Sequence, residues 1–295
     1  NSLTGYAFMK MLLGALGYDS AKEGYTGPNW SIQVAKRALN IGLDDDLVGD
    51  FNGVKAVNRE EACLYSLNTL TATMVEYEKN STVTVGNITI KDQSSAKDMV
   101  NTGKTDGKIF KADGKMQFAE KYFDNLSVTK GSDDFARPAN VWKLKAEKIG
   151  TYADTADLTY TKSVDVCDIY KDLGLGSKIE KKDVSVYVDG VVDPENKIEP
   201  VAITKDNDDD SYGANGVLTE VFYDDDADTV TITEVNTYVG EISKSVAATS
   251  KKDAYVVVIP EGVKPTSMKN SEEFETTASF DDDAYVLYTY SCLLY

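Results

Sequence analysis

The chain has 295 residues, 42% hydrophobic and 27% charged, which is ordinary globular composition and enough for about two packed domains. Its 49 acidic residues against 31 basic ones give a net charge of −18, which argues against nucleic acid and anionic lipid surfaces as partners. There is no histidine, so a Ser-His-Asp triad, a Cys-His pair and an HExxH zinc helix are all excluded.

Residues 1–78 read as helical. Thr4 is placed to cap a helix carrying Tyr6, Phe8, Met9, Leu12, Leu13 and Leu16, which Gly17 ends. A second short helix runs from about Ser31, with Ile32, Ala35, Ala38 and Leu39 at three-and-four spacing, and stops near Gly42. Asn58 followed by Glu61 is a capping box that opens a third helix, carrying Ala62, Tyr65, Leu67, Leu70 and Met74. Cys63 lies on that helix and reads as a small buried hydrophobe; with Cys167 and Cys292 it forms no CxxC pair, so neither a disulfide framework nor a zinc site is indicated.

Beyond residue 80 the period changes to two. TVTV-GN-ITI is a hairpin signal with Gly86-Asn87 at its turn. Residues 91–117 are polar and glycine-rich and read as turns or loosely ordered chain, and 118–126 as a short helix. From Val141 on, strands are expected at 183–192 around an Asp-Gly turn, 217–224, 228–242, 254–259 and 284–290. A helical turn or two is expected at 166–174. The expected fold class is α+β: a helical piece over 1–78, a Lys/Gly-rich connecting region with a hairpin over 79–140, and an all-β barrel or sandwich region of one or two domains over 141–295. Net charge follows a similar division, at −4 over 1–78, +4 over 79–150 and −18 over 151–295.

Residues 3–78 resemble an S-layer homology (SLH) domain. The resemblance is carried by LTGYAFMKMLLGALGY, NWSIQVAKRALNIGL and GDFNGVKAVNREEACLYSLNTL, in that order. They amount to one repeat and the opening helix of the next, where the family usually has three repeats. The β-rich remainder is similar to that of large SLH-containing surface proteins. The resemblance implies attachment to anionic cell-wall polysaccharide, with grooves between repeats and the motif Arg as the main anion contact. Arg59, in Asn58-Arg59-Glu60-Glu61, carries that motif over with Asn58 in the Thr position; Thr4-Gly5-Tyr6-Ala7 lacks the Arg and Glu.

Arg59 therefore either contacts a wall glycan or pairs with a carboxylate at the helix start. Trp30 either lines a sugar groove or plugs the core between helices. Lys36 and Arg37 either assist an anion site or form a solvated helix face. Asp206, Asp208 and Asp210 occupy positions 1, 3 and 5 of a calcium loop, but Ser211 and Val217 stand where Gly and Glu belong; Asp224, Asp226 and Asp228 fail in the same way. These clusters are either loose Ca²⁺ sites or solvated turns.

The overall expectation is a piece of a secreted, extracellular structural protein of the bacterial cell wall or surface. Its partners would be wall polysaccharide and copies of itself in an array or filament, with no nucleic acid and no membrane insertion. It would not be an enzyme, and Ca²⁺ is a possible ligand. The alternative is the non-catalytic part of a wall-anchored glycan-active enzyme, or an adhesin. The segments VYV, TVTITEV and YVLYTY are expected edge strands for self-association.

Overall fold

The computed structural model describes residues 2–78, 82–85, 88–91, 95–192, 198–250, 252–265 and 267–291. The fold is α+β, in two compact units: residues 1–129 with 141–150, and 130–140 with 151–295.

The first unit opens with α1 (Gly5–Ala15), α2 (Trp30–Asn40) and α3 (Arg59–Thr71). Thr4 caps α1 as its sequence position dictates, its Oγ1 accepting from the Ala7 N–H at 3.4 Å. Gly17 ends α1 with φ of +103°, where a Cβ would lie 2.3 Å from the Val75 carbonyl oxygen. Only glycine fits such a left-handed, closely approached position. The buried core joins Met9, Leu13, Leu16, Val34, Ala38, Leu43, Tyr65 and Met74. Each fully buried aliphatic side chain contributes about 1.5–3 kcal/mol. Met74 reaches this core from extended chain, because α3 ends at Thr71. Cys63 is exposed on α3 and does not join the core, which corrects the expectation from its helical spacing.

Short strands follow. β1 (Val75–Glu76) pairs antiparallel with β4 (Lys97–Asp98), and β2 (Thr82–Val85) pairs with β3 (Ile88–Lys91) as the hairpin signal foretold. Gly86-Asn87 at its turn lies outside the described residues, as does Cys292. Helix α4 (Phe118–Tyr122) sits over a second small core of Ile109, Ala119, Val128 and Trp142. Strands β5 (Leu126–Ser132), β6 (Pro138–Leu144) and β7 (Glu147–Ala153) form a three-stranded sheet in that order.

The second unit holds two four-stranded sheets. One has the order β10-β13-β12-β8, from β8 (Leu158–Tyr160), β10 (Val184–Val188), β12 (Val217–Asp224) and β13 (Thr229–Asn236), with β10 parallel to β13. It packs against α5 (Val166–Asp172) through Val166, Ile169, Val186, Val221 and Ile232. A small pair joins β9 (Val164–Asp165) to β11 (Ser211–Tyr212). The other sheet is antiparallel throughout, in the order β16-β15-β14-β17, from β14 (Tyr238–Val246), β15 (Tyr255–Pro260), β16 (Glu272–Glu275) and β17 (Tyr285–Tyr288). Its inner face buries Ile242, Val256, Val258 and Tyr288.

Among the described residues no sheet closes into a barrel. The segment TVTITEV is β13, interior to its sheet and not an edge, whereas VYV and YVLYTY fall on the edge strands β10 and β17. No described helix is long and apolar enough to cross a membrane.

Candidate functional site

The two helix starts singled out in the sequence lie side by side in the first unit. Thr4 forms an antiparallel bridge with Ala56. The Gly5 N–H donates to Lys55 O at 3.0 Å, Tyr6 N–H to Gly53 O at 2.8 Å and Val57 N–H to Leu3 O at 3.0 Å. The first donors of α1 are thereby spent on the chain that leads into α3, and this helix start does not offer them to an anion. At α3 the Asn58 Oδ1 accepts from the Glu61 N–H at 2.8 Å, and Glu61 Oε2 accepts from the Asn58 N–H at 2.9 Å. Lys55 pairs with Glu61 at 3.1 Å. These bonds hold the Glu61 carboxyl below its usual range, the backbone donor at Asn58 contributing most.

Arg59 is the first residue of α3 and is exposed. Its guanidinium makes no ion pair or hydrogen bond among the described residues, so the pairing with a neighbouring carboxylate expected as one reading does not form. Asn58 beside it has its carbonyl oxygen committed to the cap.

Trp30 is half-buried against the helical core. It meets Tyr6 edge-on at 6.4 Å, and Tyr6 in turn meets Phe51 at 5.9 Å. The Lys10 ammonium lies 5.2 Å from the Trp30 ring centre and donates to Tyr25 O at 2.6 Å. Trp30 thus plugs the core with one part and keeps another exposed. No contact among the described residues joins it to Arg59.

Arg37 is not the free cation of a solvated face. It pairs with Glu23 at 3.0 Å and lies over Tyr18, and Tyr77 donates to the same Glu23 at 2.7 Å. Arg37, Glu23, Tyr25, Gln33, Lys36 and Asn40 line a cleft of about 200 Å³. Burial, with the Glu23 charge next in size, pushes the Tyr25 hydroxyl up to about 12.

The acidic clusters of the second unit serve turns. Asn207 O accepts from the Cys167 N–H at 2.8 Å and Asp210 O from the Val166 N–H at 3.0 Å, which satisfies the first donors of α5. The Asn207 side chain braces that turn, its Oδ1 accepting from the Asp210 N–H at 3.2 Å and its amide donating to Asp210 Oδ2 at 3.0 Å. Asp206 and Asp208 are exposed. In the β12–β13 turn Asp224 Oδ1 accepts from Ala227 N–H at 2.9 Å and Asp228 Oδ1 from the Tyr223 hydroxyl at 3.0 Å, with Asp226 exposed. Among the described residues no three acidic or cysteine side chains converge as a metal-ligand group.

Sequence reasoning missed three buried acids. Glu120 is 2% exposed and accepts from the Asn101 side chain at 2.7 Å and the Gly107 N–H at 3.0 Å, so it organises the polar loop read as loosely ordered. Its Oε2 also reaches back to the Gln117 N–H at 3.5 Å, at the start of α4. Asp189 sits at the Asp-Gly turn with φ of 49° and accepts from the Asn236 N–H at 2.9 Å and the Tyr238 hydroxyl at 2.6 Å. Glu234 accepts from the Gly213 N–H at 2.6 Å. Burial raises its pKa, the nearby Asp189 charge adds to that, and the Gly213 bond opposes it. Two-residue alternation with Val230 and Ile232 was the signal that Glu234 faces inward.

Comparison with protein-family models, curated proteins and solved structures gives no match.

Proposed function

We propose that this chain is a structural component of a bacterial cell surface, in which the helical unit holds wall polysaccharide and the β-rich unit joins copies of the chain. The SLH resemblance of residues 3–78 supports this reading. The observation that carries it is Arg59: an exposed guanidinium with no ion pair or hydrogen bond among the described residues, at the start of a 13-residue helix whose first turn is already capped. A guanidinium there offers a planar fork of donors at the positive end of the helix dipole, which suits a carboxylate on a sugar. The half-exposed Trp30 and the adjoining Tyr6 supply aromatic surface for sugar rings on the same unit.

This role places the protein outside the cell and requires no chemistry from it. The absence of histidine fits a binding and building role better than a hydrolytic one. The chain is strongly acidic, so long-range electrostatics oppose an anionic glycan and recognition rests on local geometry.

The test is sedimentation of the whole chain with purified wall polymer, compared with Arg59→Ala. Loss of one charge-assisted contact weakens binding by about ten- to a hundredfold. The melting temperature should change little, because the Arg59 guanidinium is exposed and bonds to no described residue. Binding of equal strength by Arg59→Ala would defeat the assignment.

A further inference from the structure

The two outer strands of the β16-β15-β14-β17 sheet differ in charge. Strand β16 reads Glu-Glu-Phe-Glu and β17 reads Tyr-Val-Leu-Tyr. Among the described residues no strand pairs with the outer side of either. An open edge presents unpaired N–H and C=O groups, and charge is a common guard against pairing with another chain. β16 carries that guard and β17 does not.

Side-chain exposure on β17 alternates. Val286 and Tyr288 pack on the core, while Tyr285 is 67% and Leu287 73% exposed. On the same outward face Val239 of β14 stands opposite Leu287, and is itself exposed. Glu241 stands opposite Tyr285 on one side and Ile259 on the other.

We propose that β17 pairs antiparallel with β17 of a second copy about a two-fold axis at Val286, making one eight-stranded sheet. The inference deepens the self-assembly part of the proposed function and rests on it, but not on polysaccharide binding. The faces narrow the register. Residues opposite one another in an antiparallel pair share a face, and a two-fold axis perpendicular to the sheet keeps outer face with outer face when it passes through a residue, such as Val286 or Leu287. Centring on Leu287 sets that side chain against itself, whereas centring on Val286 sets Tyr285 opposite Leu287 of the other copy, twice, an aromatic–aliphatic pair of the kind that stabilises sheets, and we take that register.

Charge selects the same edge. The acidic turn Asp281–Asp283 lies past the end of the partner's β17, in the direction of its residues 289–291, which carry no negative charge. The same operation on β16 sets Glu273 against Glu275, or against itself, in either register that keeps the faces together. For a chain of net charge −18, an uncharged edge is where copies meet at least electrostatic cost.

The experiment is sedimentation equilibrium of the whole chain over a concentration series, with two double variants. Tyr285→Lys with Leu287→Lys puts like charges opposite in both pairs, and Tyr285→Glu with Leu287→Glu does the same with the other sign. Both positions are solvent-facing, so the folded state is retained, and circular dichroism checks this. Each variant alone should self-associate at least about tenfold more weakly than the wild type. An equimolar mixture of the two should regain association, which a merely unfolded variant would not do. If the wild type associates and both variants match it, the contact lies elsewhere, the β17 assignment is wrong, and self-assembly stands. If the wild type stays monomeric at about 1 mM, where weak specific contacts are occupied, self-assembly itself fails and this inference with it.

Discussion

Asn101 and Glu120, nineteen residues apart and each 2% exposed, meet through a 2.7 Å hydrogen bond from the Asn101 amide to Glu120 Oε2. The other carboxylate oxygen accepts from the Gly107 N–H. One side chain thus fixes a loop that is too polar to be held by a core. Glu120→Ala should cost about 3 kcal/mol or more, because it leaves several buried donors unpaired. Glu120→Gln keeps an acceptor and should cost less. Urea denaturation gives the size, and faster hydrogen exchange at Gly107 gives the location.

Glu234 makes stability depend on pH. Its folded pKa lies above the unfolded value because burial disfavours the charge, with Asp189 adding to the effect. Its contribution is therefore fully present below the unfolded value, near about 4.3, and is lost as pH rises through the folded one. Glu234→Gln keeps an acceptor for Gly213 and has no charge to bury. It should melt above the wild type at pH 7, with the difference shrinking toward pH 4. A constant difference across that range would refute the assignment.

Gly53 carries the contact between the chain before α3 and the start of α1. A Cβ there would lie 2.1 Å from Tyr6 Cε1, and Tyr6 is itself held between Trp30 and Phe51. Gly53→Ala should destabilise by about 1–3 kcal/mol through overpacking, and should change the fluorescence of Trp30. Trp142, buried in the second small core, supplies the unchanged part of the signal.

Asn207→Ala should loosen the start of α5 by about 1 kcal/mol, since its side chain braces the turn whose carbonyls receive Val166 and Cys167. The observable is faster alkylation of Cys167, identified by peptide mapping. The effect should be equal in chelator and in excess Ca²⁺, because an amide and not an ion holds this turn. Suppression of the effect by Ca²⁺ would point to a bound ion at Asp206, Asp208 and Asp210.

What could be read in advance was local. Thr4, Asn58 with Glu61, Gly17 and Gly42 act within a few residues of themselves, so the helices of the first unit are legible from spacing alone. The Asp-Gly turn was legible for the same reason, with Asp189 and Gly190 both at positive φ. Strand order was not. β10 lies parallel to β13, more than forty residues on, and nothing in VSVYV names that partner. Buried acids were hidden by the number of acids in the chain: Glu120, Asp189 and Glu234 differ from their exposed counterparts only in the company they keep. Cys63 misled because α3 carries polar residues on most of its turns, so spacing assigned it a face that the core does not use. Of the candidate site, Arg59 and Trp30 could be singled out in advance, but their surroundings depend on the fold of residues 50–57 against α1.

Strands β13 and β14 are separated by Thr237 alone, and each is interior to its own sheet. Asp189 bonds the last residue of one and the first of the other, Asn236 and Tyr238. Tension applied along this stretch enters both sheets as shear, loading rows of backbone hydrogen bonds together instead of unzipping them singly. The carboxylate at the junction resists hinging at Thr237, so a pull at one sheet is transmitted to the next without slack. The surface-layer role proposed above would draw on this mechanical continuity.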